Sequence, residues 1–127
     1  MNNVLIDTSA WIDFFRNSTG VIGDLVNDLI LNDTAYIAGP IMAELLHGVR
    51  SEKEASQLEF IFTTIPYLEV DQHDWIQTGN TLLRLRKNGL SVPLTDVLIA
   101  NIAVRNNAAV LTLDKHFQHL PVECVSP

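Results

Sequence analysis

Cysteine is all but absent. Cys124 stands alone, so no disulfide can close within the chain, which fits a reducing compartment. No apolar run approaches the roughly 18 residues that span a bilayer. The chain does not open with a basic stretch followed by a long apolar one, so no signal peptide is expected. The expectation is a soluble, cytoplasmic protein. Repeats and low-complexity segments are missing as well. Basic residues are scarce, with 8 Lys and Arg against 15 Asp and Glu and a net charge of −7. Taken alone, that deficit speaks against an ordinary nucleic-acid binder, which is normally basic. Most of the acids would be solvated surface, but a few could form a cation site.

What is present is a chain of 127 residues, 47% of them apolar. That predicts one domain, residues 1–127, with one core. Val4-Leu5-Ile6 runs into Asp7, and Ala109-Val110-Leu111-Thr112-Leu113 runs into Asp114. Continuous apolar runs of this kind read as strands buried on both faces of a parallel sheet. Thr34–Ala38 and Tyr67–Val70 read as further strands, the latter an edge, and Pro121–Val125 as a last edge strand. Helical spacing recurs between them. Thr8 or Ser9 would cap a first helix, and Val21–Leu31 forms a second. Gly39-Pro40 opens a third, and Ser51 to Glu54 is a capping-box pattern opening a fourth. Asp71 would cap a long helix over residues 72–88, with Gly89 as its stop. Thr95 would cap a helix starting at Asp96 that is apolar on most sides and therefore buried. Lys115-His116-Phe117 reads as a turn. The alternation predicts an α/β fold, a three-layer α/β/α sandwich around a central, mainly parallel sheet.

The chemistry lies in the acids. In such a sheet, strand C-termini and the helix starts that follow them share one edge, where ligands bind. Asp7, Asp114, Asp96 and Glu44 could therefore meet in one pocket. Clustered carboxylates repel, so one must take up a proton unless a cation neutralises them. An all-oxygen set suits a hard ion such as Mg²⁺ or Mn²⁺, which would assist in-line hydrolysis of a phosphodiester. Each acid also has a plainer reading. Asp7 and Asp114 could be turn residues, Asp96 a partner of a helix dipole, and Glu44 a solvated helix face. Thr8, Ser9, Thr95 and Thr112 could be caps or strand residues, or hydroxyls that orient the carboxylates. Trp11, Phe14, Phe15 and Trp75 read as core. His47, His73, His116 and His119 show no metal-ligand spacing with Cys124 and read as surface or packing residues, so zinc is not expected.

Four stretches together resemble the PIN-domain ribonucleases, and within them the VapC-type toxins of toxin–antitoxin pairs. They are Val4–Asp13, Met42–Leu45 with Gly48, Leu94–Ala100 and Leu111–Phe117. The resemblance implies a Mg²⁺- or Mn²⁺-dependent endoribonuclease, with transfer RNA as the expected substrate. It implies an acidic site of Asp7, Glu44, Asp96 and Asp114. Asp7 and Asp96 would be the surest metal ligands, and Ser9 and Thr112 the supporting hydroxyls. It also implies a cognate antitoxin that covers the site, attracted as a basic segment to a −7 protein, and commonly a homodimer; some of Trp11, Phe14, Phe15 and Trp75 could belong to one of these interfaces instead of the core. RNA would need a local basic patch, for which Arg84, Arg86, Lys87 and Arg50 are candidates. Two rivals stand beside this reading. One is an inactive PIN-like module that only binds RNA or protein. The other is a phosphatase with an aspartate nucleophile, for which Lys115 is the one lysine beside a strand end.

Overall fold

The computed structural model describes residues 3–125. The elements in order are β1 (Val4–Ile6), α1 (Thr8–Arg16), α2 (Val21–Leu31), β2 (Ala35–Ala38), α3 (Gly39–His47), α4 (Glu52–Thr64), β3 (Tyr67–Leu68), α5 (Gln72–Lys87), α6 (Leu94–Arg105), β4 (Ala109–Leu111) and a 3-10 helix over Lys115–His119. The four strands are parallel, in the order β3-β2-β1-β4. The chain steps from β1 to β2 to β3 in one direction, then returns to place β4 on the far side of β1. Right-handed crossovers put α1–α4 on one face and α5–α6 on the other. The result is the three-layer sandwich expected from the alternation of strands and helices.

The core follows from which residues lack polar groups. Leu5, Ile6, Ile37, Val110 and Leu111 of the sheet are fully buried, as are Val97, Ile99 and Ile102 of α6. Each such side chain removed from water contributes about 2 kcal/mol. Of the aromatic residues expected in the core, Trp11 is fully buried and Phe14 packs half-buried against it. Phe15 and Trp75 are exposed. Phe15 stacks on the outer side of Trp11. Trp75 follows the buried Asp74 on α5, and the 3.6-residue period turns it outward.

Several helix starts differ from expectation. The residue capping α1 is Asp7, without a side-chain bond, and Thr8 and Ser9 lie inside the helix. Their hydroxyls are engaged elsewhere. The helix α6 begins at Leu94 after Pro93, which fixes its own φ, so Thr95 is not the cap. In α4, Ser51 accepts from the Glu54 N–H as a capping box requires, but the Glu54 carboxylate reaches back to the N–H of Arg50. The full capping box is at α5, between Asp71 and Asp74. Gly89 ends that segment with φ +75°, a conformation that favours glycine. β3 is two residues long, and residues 121–125 form a single parallel bridge, Val110 to Cys124, rather than a strand. Pro121 has no N–H to give to a ladder.

The hairpin of α5 and α6 is clamped at its open end. Arg105 donates from Nε and Nη2 to the two oxygens of Asp74, each at 2.8 Å, and from Nη2 to the Glu69 carbonyl. Asp74 is 1% exposed. Burial would raise its carboxyl, but the Arg105 guanidinium and the Asp71 backbone bond outweigh it and hold the group below its ordinary value. Replacing Arg105 strands that charge. Arg105→Ala should cost about 3 kcal/mol of stability by chemical denaturation. Adding Asp74→Asn should recover part of the loss, and a second change that only deepened it would contradict the buried-charge explanation.

Candidate active site

The strand order reverses between β1 and β4, and ligands of open parallel sheets bind at such a switch point, beyond the strand C-termini. Asp7 leaves β1 there. Its backbone N–H donates to the Leu111 carbonyl of β4 at 2.9 Å, and the residue is 4% exposed. Two hydroxyls hold it. Thr112 Oγ1 donates to Asp7 Oδ2 at 2.8 Å and Ser9 Oγ donates to the same oxygen at 3.0 Å. Each hydroxyl has one hydrogen, and each accepts a backbone N–H as well: Thr112 from Asp114, Ser9 from Leu113, both at 2.9 Å. These bonds explain why β4 stops at Leu111 and not at Leu113. The N–H groups of Leu113 and Asp114 have left the ladder for side chains that serve Asp7.

Asp96 arrives from the other direction, in the first turn of α6. It is 9% exposed, and its Oδ2 is enclosed with no hydrogen-bond partner. Among the described residues Trp11 Nε1 is the one other such buried side-chain atom. Asp114 follows β4 and caps the 3-10 helix, accepting the His116 backbone N–H at 2.9 Å. The His116 ring folds back, with Nδ1 2.8 Å from Asp114 Oδ1 and 3.5 Å from Asp96 Oδ2. Asp96, Asp114 and His116 thus offer donor atoms all within 4.8 Å of one another. Burial first, then the charges of Asp114 and Asp7, push the Asp96 carboxyl up to about 7. Burial also acts on Asp114, but the backbone N–H and ring of His116 outweigh it and hold that carboxyl below its ordinary value. The pair shares a site in which one group is easily ionised and the other is not.

Asp7 and Glu44 fall outside that close group. Asp7 acts on Asp96 through its charge and is tied to Asp114 through Thr112. Glu44 sits on the exposed side of α3, where Thr8 Oγ1 donates to its Oε1 at 2.8 Å. It lines a groove of about 570 Å³ between α1, α3 and α4, together with Ile12, Phe15, Arg16 and Arg50. Arg84, Arg86 and Lys87 are exposed at the end of α5 and form no ion pair among the described residues. Asp74 meets Arg105 and Thr78 meets Asn101 across the hairpin. Four residues along α5 match four residues back along α6, so the basic end of α5 lies at the Asp96 end of the pair. Lys115 is exposed and makes no ion pair among the described residues. His116 was read from sequence as surface or packing. Its signal is its position two residues after Asp114, which lets a capping aspartate and the ring meet. Arg16 carried no sequence signal.

The comparisons with known proteins agree on one lineage. Residues 4–123 match the PIN domain. The chain belongs to the PIN-domain family. The ribonuclease VapC11 of Mycobacterium tuberculosis is 32% identical over 118 residues, which cover 90% of this chain and 88% of that protein. The DNA-bound VapBC structure from Salmonella typhimurium shares the PIN fold with a TM-score of 0.84, at 23% identity over 98% of each chain. VapC20 of Mycobacterium tuberculosis, described as a sarcin–ricin loop cleaving toxin, matches with a TM-score of 0.72 at 15% identity over 98% of this chain and all of that one.

The PIN family implies a divalent cation, and the residues fit one. Two carboxylates and an imidazole converge, and one buried oxygen among them has no partner. A cation or a proton must fill that place. The proton gives a test. In the cation-free protein Asp96 has a carboxyl raised from 3.8 to about 7. Stability from that group is therefore fully present at low pH and is lost as pH rises through about 7. At pH 8 without metal, Asp96→Asn should melt higher than the parent, with the difference shrinking towards pH 5. A variant that melts lower at pH 8 would show that the Asp96 charge is not repelled.

Proposed function

We propose that the chain is the toxin of a toxin–antitoxin pair, a Mg²⁺- or Mn²⁺-dependent endoribonuclease that hydrolyses RNA phosphodiester bonds at the β1–β4 switch point. The observation that carries this reading is the partnerless Asp96 oxygen inside a cluster of acids in a chain 32% identical to a named ribonuclease. Asp7 and Asp96 would be the principal ligands, with Asp114 and Glu44 completing the acidic site. When bound, the divalent ion would neutralise these carboxylates, activate the attacking water and offset charge on the phosphate and the leaving oxygen.

The chain's own residues do the positioning. Ser9 and Thr112 fix the rotamer of Asp7, so the carboxylate needs no reorganisation when phosphate arrives. Glu44, one hydroxyl away through Thr8, would orient water on the α3 side. Arg84, Arg86 and Lys87 on the α6 side, and Arg50 with Arg16 on the α3 side, would bracket the acids and hold the RNA backbone locally. Such contacts are needed because the net charge of −7 repels RNA elsewhere. The same charge suits a basic antitoxin segment that covers the edge, as expected for relatives solved as VapBC complexes. The protein would act in the cytoplasm, within a toxin–antitoxin assembly that contains a toxin homodimer. Transfer RNA is the expected target.

Purified protein free of antitoxin should cut total RNA at a few discrete positions with Mg²⁺ or Mn²⁺ and not with EDTA. Asp7→Asn and Asp96→Asn should each lower the rate by at least about a thousandfold while the proteins remain folded. Discrete cuts in transfer RNA would support the expected target. Full activity in both variants, or no cutting by the parent, would refute the assignment.

A further inference from the structure

We infer that His116 is a direct ligand of the cation site through Nδ1, so that the site binds Mn²⁺ in preference to Mg²⁺. The inference rests on the metal-dependent reading above and concerns which ion the site selects and through which atoms. Neighbouring donors around an octahedral ion with bonds of about 2.1 Å lie about 3.0 Å apart. Nδ1 stands 2.8 Å from Asp114 Oδ1 and 3.5 Å from Asp96 Oδ2, on either side of that spacing. Two of the three donor separations thus bracket that spacing, all three donors lie within 4.8 Å of one another, and side-chain movements would bring them around one ion. Asp96 Oδ2 is the independent sign that something is missing there: the residue is nine-tenths buried, and this oxygen has no partner and faces the imidazole.

The ring is delivered by the backbone. Asp114 caps the 3-10 helix through the His116 N–H, and Phe117, 1% exposed, pins the same turn into the core. The side chain of His116 keeps 46% of its surface exposed, so the coordination sphere has an open side for water. Carboxylate oxygens alone suit Mg²⁺, but an imidazole nitrogen moves the preference towards transition ions, and Mn²⁺ accepts both donor types. Without an ion, Nδ1 donates to Asp114. With one, the nitrogen must be deprotonated and turned to the metal.

Pulsed electron paramagnetic resonance of Mn²⁺ bound to the full chain tests this without any activity assay. The parent should show ¹⁴N coupling of a directly bound nitrogen, converted to the ¹⁵N pattern when the protein is grown with ¹⁵N-histidine. His116→Gln should lose the coupling and bind Mn²⁺ about tenfold more weakly, with Mg²⁺ affinity changed less. Bound Mn²⁺ without nitrogen coupling would overturn the inference and leave the carboxylate site intact. Absence of saturable Mn²⁺ binding by the parent, or undiminished binding by Asp96→Asn, would overturn both. The labelled parent decides the ligand type even if the variant does not fold.

Discussion

Repulsion between carboxylates held at one sheet edge is the constraint on which the rest of the structure depends. Asp7 and Asp96 are both nine-tenths buried or more, and Asp114 stands beside them. Three negative charges in a partly dry site would drive the edge apart or force protons onto it. The fold resists the first outcome by embedding each acid in a rigid element. Asp7 is fixed by the β1–β4 ladder, Asp96 by the most buried helix, and Asp114 by a turn nailed down by Phe117. The remaining strain is left to be relieved by a counter-charge. A site of this kind is poor as structure and suitable as a cation receptor.

The parallel topology makes that convergence possible. Reversal of strand order between β1 and β4 leaves a gap at the strand ends that no crossover helix fills. Thr112 and Ser9 then join the two strands chemically, since each hydroxyl takes a backbone N–H from one side and gives its hydrogen to Asp7. Replacing either would remove a bond to the carboxylate and also leave an N–H without its acceptor. The Arg105–Asp74 clamp works at the opposite end of the α5–α6 hairpin.

Most of the fold was legible because its signals are local. Apolar triplets gave β1 and β4, and the nearly uniform Val97–Ala103 run gave the buried helix. The strand-end and helix-start positions of Asp7, Asp96 and Asp114 were enough to place them at one edge. Four things were not legible, and each depends on contacts between distant residues. β4 ends early because its N–H groups go to hydroxyls, one of them 104 positions away. Residues 121–125 make a single parallel bridge, Val110 to Cys124, with a residue far away in sequence. Glu44 stands off from the close donor group because α3 turns it towards the groove and Thr8 holds it there. His116 joins the acids because a 3-10 turn folds its ring back, and no spacing rule for zinc ligands anticipates that.

Acidity and RNA cleavage are compatible on this view. Four of the 15 acids form the proposed cation site, and local basic side chains would hold the RNA. The central claim is that a divalent ion replaces the proton that repulsion forces onto Asp96. Calorimetric titration of Mg²⁺ or Mn²⁺ in two buffers of different ionisation enthalpy measures that exchange directly. Near pH 6, binding should release more protons per ion from the parent than from Asp96→Asn, and that difference should fade above pH 8. Saturable binding with no proton release at pH 6 would contradict it, because the carboxylates would then be fully ionised before any ion arrives.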